Sequence, residues 1–273
     1  MNARIEALSF TYPGGAQALR QVSLDVPSGS WVALVGENGA GKTTLAKLLC
    51  GLLRPDTGRA WVGDWDTQQH TAAQLARRIT YVFQNPDDQL FERSVQAEVA
   101  FGPRNLGLPP AEIEERLADS LEALQLDGLR ARHPYELTPT QRKFVALAAA
   151  DVMHAPLMIL DEPTTGLDGP ALRLLSDYLA RKRQEGRTVM AISHDMDFVA
   201  EQFERVVVMA HGEILADATA AQVFGAADLL AASQLEAPQL VRLAERLGWP
   251  TRPLTVEAFV AGLSAHRTHE VSP

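Results

Sequence analysis

Residues 36–44 read Gly36, Glu37, Asn38, Gly39, Ala40, Gly41, Lys42, Thr43 and Thr44. The run fits the phosphate-binding pattern G-x-x-x-x-G-K-[ST] and sits where that pattern needs to sit. Ahead of it, Trp31 to Val35 is an unbroken apolar run of strand length; behind it, Leu45, Leu48, Leu49 and Leu52 recur at helical spacing. In a strand–loop–helix turn the glycines let successive backbone N–H groups point inward at phosphates, and the helix N-terminus adds partial positive charge. Lys42 is expected to reach the β- and γ-phosphates and Thr43 to offer its hydroxyl to Mg²⁺. The ligand class implied is a nucleoside triphosphate.

Composition narrows the surroundings. A chain of 273 residues with 46% hydrophobic content can bury a full core, as one large domain or one domain with an appendage. Its single cysteine, Cys50, excludes a disulfide framework and reads as a buried apolar filler in a reducing compartment. The first ten residues contain Arg4 and Glu6 and lack the apolar centre of a signal peptide, so a cytoplasmic location is expected. The most apolar long window, Phe144 to Leu160, is broken by Asp151, His154 and Pro156, so any membrane role is expected to be peripheral. A net charge of −9 disfavours nucleic acid as a partner.

Further apolar runs at Leu157–Leu160, Thr188–Ile192 and Val206–Met209 read as buried parallel strands, with helices over Pro170–Glu185 and Met196–Gln202. The alternation points to an α/β layered core. Ile5–Thr11 and Val22–Val26 show period-two patterning about the turn residues Pro13, Gly14 and Gly15, which reads as an antiparallel hairpin beside the main sheet. From about residue 86 to 156 strand signals fade, and Pro110–Leu124 carries an acidic helical face, simplest as a solvated surface. After Phe224, Leu240, Leu243 and Leu247 recur at helical spacing between Pro238 and Trp249, and His266 and His269 fall in a tail too weakly patterned for a metal site.

Leu157–Leu160 runs into Asp161 and Glu162, placing two carboxylates at the carboxyl end of a buried strand. Asp161 is expected to hold Mg²⁺, because a hard cation takes oxygen ligands, and Glu162 to act as general base on the attacking water. Taken in order, these motifs resemble one family, the nucleotide-binding subunits of ABC transporters. The resemblance covers roughly Ile5 to Phe224. It implies an adenine-stacking role for Tyr12, a Mg²⁺- and partner-sensing role for Gln84 in YVFQNP, a D-loop role for Asp168 in GLD, and a γ-phosphate contact for His194 in AISHD. The fold implied is the P-loop NTPase ABC ATPase fold, with an antiparallel β subdomain, a helical subdomain over about 86–156 and a helical extension over 225–273. ATP and Mg²⁺ are the implied cofactors.

The stretches YVFQNPDDQLF, VAFGPRNLGL and APQLVRLAERLGWP are similar to those of energy-coupling factor importer ATPases. That narrower likeness implies uptake of vitamins or transition-metal ions, a second ATPase subunit joined through the C-terminal extension, a transmembrane coupling component and a substrate-binding membrane component. It also implies that the region around Asp87–Phe91 lines the groove for coupling helices.

One motif departs from the family. Where its signature usually reads LSGGQ, this chain has Leu137, Thr138, Pro139, Thr140 and Gln141. As a helix start the stretch is sound, since Thr138 and Gln141 have capping-box spacing and Pro139 suits the first helical position. As a phosphate site it is impaired, because proline has no N–H and threonine adds bulk where glycine admits a backbone approach. Thr138 and Gln141 remain the nucleotide-contacting candidates there. Competing readings are another ABC transporter class, a soluble ABC ATPase, and a regulatory ATP-binding protein of weak turnover.

Overall fold

The computed structural model describes residues 1–269, with side chains through Leu263; the side chains of His266 and His269 lie outside the described residues. β1 (Ala3–Thr11) and β2 (Gln17–Val26) form an antiparallel hairpin. Its turn is closed by Tyr12 N–H donating to Ala16 O at 2.9 Å, with Gly15 at φ 84°. β3 (Trp31–Val35) leads through the glycine loop into α1 (Lys42–Leu49). Leu52 lies beyond that helix and is exposed, because Gly51, at φ 67°, turns the chain away. β4 (Thr57–Val62) and β5 (Trp65–Asp66) then complete a four-stranded antiparallel sheet in the order β2-β1-β4-β5.

After α2 (Ala72–Leu75) and β6 (Ile79–Val82) come three helices: α3 (Val95–Asn105), α4 (Pro110–Ala123) and α5 (Pro139–Asp151). The chain continues through β7 (Leu157–Asp161), α6 (Gly169–Gln184), β8 (Thr188–Ile192), α7 (Met196–Gln202), β9 (Arg205–Ala210) and β10 (Glu213–Thr219). It ends in α8 (Ala220–Gly225), α9 (Ala227–Ala232), α10 (Gln239–Arg246) and α11 (Val256–His269). The second sheet runs β10-β9-β3-β8-β7-β6, parallel throughout except for β10 against β9. Strands β4, β6 and β10 carry no long apolar run; β10 alternates exposed and half-buried residues along its whole length, which marks an edge strand rather than a buried one.

The parallel strands face two cores at once. Val32, Leu34, Ile159, Met190 and Ile192 pack with α1 and the antiparallel sheet. Ala33, Val35, Met158, Leu160 and Ala191 pack with α3 to α7. This is the period-two geometry of a strand applied to a sheet covered on both faces, which is why these strands read as continuous apolar runs. Cys50 is buried on the α1 side, and burial pushes its thiol up to about 12, leaving it an inert filler.

On the other side, the last residue of α5 is held in an ion cluster. Asp151 lies 3.0 Å from Lys182 Nζ and 3.2 Å from Arg187 Nη1, and Ser120 Oγ of α4 donates to its Oδ2 at 3.0 Å. All four side chains are largely buried, so the carboxylate ties α4 and α5 to α6 and to the start of β8. The acidic face of α4 is partly engaged by its neighbours: Glu112 pairs with Arg116 at 2.5 Å and Glu114 with Arg130 at 2.6 Å. Removing one partner of a buried ion cluster strands the remaining charges. Asp151→Ala is therefore expected to destabilise the chain by about 3–5 kcal/mol, read as a lower midpoint in urea unfolding.

Candidate functional site

The glycine loop leaves the carboxyl end of β3, and the register of the sheet decides what meets it there. Leu34 lies opposite Ile192 of β8, and Ile192 lies opposite Asp161 of β7. The three strand ends therefore present the loop, the β8–α7 turn and the two carboxylates on one edge. Two glycines make the loop's tight path possible. A Cβ on Gly36, at φ 146°, would sit 2.0 Å from Met209 O, and one on Gly41, at φ 101°, 2.5 Å from Ala18 O.

Lys42 is buried at the floor of the loop, where its Nζ donates to Gly36 O at 2.7 Å and to Glu37 O at 2.9 Å. Burial lowers its pKa, and the nearby Glu162, Asp161 and Glu37 carboxylates oppose that shift. Glu37 is itself braced by His211, whose Nδ1 lies 3.2 Å from its Oε1. Thr43 Oγ1 donates to Asp161 Oδ2 at 3.0 Å, and the Tyr81 hydroxyl donates to the same oxygen. Burial, then the hydrogen bond to Asp161, pushes the Tyr81 phenol well above its ordinary value, so it stays a donor. Asp161 Oδ1 is buried without a hydrogen-bond partner. An orphaned carboxylate oxygen beside a threonine hydroxyl is a hard-donor set that fits a divalent cation.

Glu162 occupies the left-handed region at φ 50°, costly for a side chain with a Cβ. The position is fixed from several directions: Glu162 N–H donates to Ile192 O at 2.8 Å, and Lys143 Nζ donates to Glu162 O at 2.9 Å and to Thr165 O at 2.8 Å. Its carboxylate lies 2.6 Å from His194 Nδ1, through Oε2. Lys143 is buried, which lowers its pKa against the pull of Glu162 and Asp161.

Tyr12 stands at the rim, its ring edge-on to Phe10 at 4.9 Å and its hydroxyl 3.1 Å from Thr44 Oγ1. With the loop, Gln84, Asp161, Glu162 and His194 it lines a cavity of about 960 Å³. Thr138, Gln141 and Asp168 do not line it. Thr138 and Gln141 form a reciprocal capping box at the start of α5, and Asp168 caps α6 by accepting from Ala171 N at 2.9 Å. The lining also includes Gln234, Leu235 and Glu236 from the segment between α9 and α10, for which no sequence spacing gave a signal. Lys143 and Tyr81 were likewise missed. A lysine inside the apolar run of α5 was the available sign of the former, because a buried ammonium demands acceptors; Tyr81 looks like any aromatic strand residue.

The family model for ABC transporter matches residues 19–165, more than half of the chain. The chain belongs to the ABC transporter family. An energy-coupling factor transporter ATP-binding protein EcfA of Methanothermobacter thermautotrophicus is 41% identical over 88% of this ABC-family chain and 78% of its own length. Two putative ABC transporter ATP-binding proteins, of Methanosarcina mazei and Methanosarcina acetivorans, are 42% and 41% identical, and the chain spans only 41% and 39% of their length. Among solved structures, cbiO1 of Clostridium perfringens, described as part of the ABC transporter complex cbiONQ, superposes with a TM-score of 0.75 at 31% identity, covering 90% of this chain and 98% of that one. The observed fold, an antiparallel sheet and a largely parallel sheet with a helical layer, is the ABC ATPase fold read from the motifs.

Within this family fold, Lys143 is the residue whose removal isolates its role. Replacing it by methionine keeps its stem, takes the ammonium donor from the Thr165 carbonyl and leaves the Glu162 carbonyl with only the Thr165 N–H at 3.3 Å. Lys143→Met is expected to cost about 1–3 kcal/mol in denaturant unfolding.

Proposed function

We propose that the chain is the ATP-binding and hydrolysing subunit of an energy-coupling factor importer of vitamins or transition-metal ions, working as one half of an ATPase dimer. The observation that carries the reading is the meeting of Lys42, Thr43, Asp161, Glu162 and His194 around one cavity. In it, the loop's N–H groups and Lys42 bind the β- and γ-phosphates, and Tyr12 stacks on the base. Asp161, Thr43 and Gln84 would hold Mg²⁺, which would neutralise phosphate charge. Glu162 accepts a proton from water as that water's oxygen bonds to the γ-phosphorus and the bond to the β–γ bridging oxygen breaks, releasing ADP. His194, 2.6 Å from the Glu162 carboxylate, orients that base and contacts the γ-phosphate.

Attachment to a membrane falls to partners in this reading, since no helix among the described residues is long and apolar enough to cross a bilayer. The chain then sits on the cytoplasmic face. The surface beside Asp87–Phe91 suits a transmembrane coupling component: Phe91 and Phe101 are exposed and packed edge-on at 4.8 Å. Glu98 holds that loop by accepting from Phe91 N at 2.8 Å and Glu92 N at 2.7 Å. Asp87 is already paired with Arg142 of α5 at 2.7 Å, so it links this surface to the signature helix rather than standing free for a partner's basic group. Cargo selection and the C-terminal extension's role in holding two ATPase subunits together belong to the same proposal.

The signature start is poor in donors. Pro139 has none, and Gln141 N–H is taken by Thr138 Oγ1 at 3.2 Å, which leaves the Thr140 N–H, the Thr138 hydroxyl and the Gln141 carboxamide NH₂ for a facing subunit's γ-phosphate. An asymmetric pair follows, in which this chain supplies a full cavity and a partner supplies the intact signature. A regulatory protein of weak turnover is the second reading, favoured by Pro139 alone.

Two measurements test this. Glu162→Gln is expected to lower steady-state hydrolysis in the assembled transporter by at least ~10²-fold while nucleotide binding persists; an unchanged rate removes Glu162 as the base. The purified chain is expected to hydrolyse Mg–ATP slowly, and a version carrying Pro139→Gly and Thr140→Gly to be faster by about tenfold or more, the scale of one restored charge-assisted hydrogen bond. Equal, vigorous rates would leave a self-sufficient homodimer.

A further inference from the structure

The segment joining α9 to α10 lies on the nucleotide cavity, and its course is fixed at both ends. At its start, Leu235 N–H donates to Leu230 O at 2.9 Å and Gln234 N–H to Ala231 O at 3.3 Å, with Gln234 at φ 53°. That is the Schellman ending of a helix, in which the left-handed position is usually glycine. Ser233 is buried and its hydroxyl donates back to Leu229 O at 2.7 Å. At its far end, Gln239 N–H donates to Asp197 Oδ1 at 2.7 Å. Asp197 is the second residue of α7, three positions after His194, and Met196 beside it lines the same cavity. Between the two ties, Leu235 and Ala237 pack against the main core. The segment is thus a strap whose far end is tied to the helix that follows His194 and whose Gln234, Leu235 and Glu236 share the cavity lining with His194, Lys42 and Glu162.

The side chains on the strap differ in what they can offer a phosphate. Glu236 carries a negative charge, but Arg242 Nη1 holds it at 2.5 Å. Gln234 is exposed and lines the cavity, and its carboxamide brings two N–H donors without charge. The left-handed backbone alone says little, because Gln125 ends α4 with the same Schellman geometry at φ 56° away from the cavity. What sets Gln234 apart is its position.

We infer that the α9–α10 strap is part of the nucleotide site and that the Gln234 carboxamide donates to the terminal phosphate of a bound nucleoside triphosphate, so that the C-terminal extension distinguishes triphosphate from diphosphate. The inference rests on the reading of the cavity as an ATP site.

Gln234→Gly is the decisive variant, since glycine is the residue this helix ending prefers; the turn survives and only the side chain goes. Calorimetric titration of the full chain with Mg–AMP-PNP and with Mg–ADP should show the triphosphate analogue bound about tenfold more weakly by Gln234→Gly, with ADP changed less than about twofold, as expected for one hydrogen bond to a charged group. The thermal midpoint should be equal or higher, which separates lost contact from lost fold. Asp197→Ala, which frees the far tie, should shift the same ratio in the same direction. Unchanged binding of both nucleotides by Gln234→Gly, or an equal loss for both, overturns the assignment while leaving the ATP site standing. Failure of the wild-type chain to bind either nucleotide would bring down the ATP-site reading and this inference with it.

Discussion

The hydrogen bond from Thr43 to Asp161 spans 118 positions of sequence at 3.0 Å, and the rest of the site is arranged around the constraint it represents. It forms only if β3, β8 and β7 lie side by side in a register that brings their carboxyl ends level. That register is held by apolar packing on two faces, with alternate residues of each strand entering different cores. A slip of one residue would exchange the faces and turn every one of those side chains into the wrong core. The polar edge is thus positioned by apolar contacts that take no part in its chemistry.

Charge at that edge is balanced across few groups. Two buried lysines, Lys42 and Lys143, have their pKa values lowered by burial, and the same two carboxylates, Glu162 and Asp161, counter that shift in both. The lysines reach the site from opposite sides of the sheet, one from α1 and one from α5. Each also satisfies main-chain carbonyls, so each ammonium has a structural as well as an electrostatic task. The left-handed backbone at Glu162 persists because Ile192 and Lys143 hold the residue on both sides of its peptide groups. Strain of this kind survives in a fold only where surrounding contacts over-determine it.

At α5 the demands of folding and of function part company. Thr138, Pro139 and Gln141 make a well-capped helix start, so the fold loses nothing from the altered signature. The capping bonds that stabilise the helix are the ones that occupy its donors. A sequence change can therefore be neutral for stability and still alter what a helix terminus offers a partner.

Much of this was legible in the chain itself. The glycine loop, the strand before it, the β7 strand running into Asp161 and Glu162, and the hairpin about Gly15 are local patterns in which period, turn chemistry and ligand-binding residues coincide within a few positions. Strands β4 and β6 were not legible, because they pair with β1 and β7, which are distant in sequence; β10 pairs with the adjacent β9 but alternates exposed and half-buried residues, which leaves no apolar run to read. Nor were Tyr81, Lys143 and the Gln234 strap, whose roles exist only where separate segments meet. Sequence determined the ligand class and the residues of the loop, since backbone curvature, N–H direction and lysine reach are set within one turn. Only the tertiary structure decided which distant groups complete the site, because burial and strand register are properties of the packed sheet and not of any segment in it.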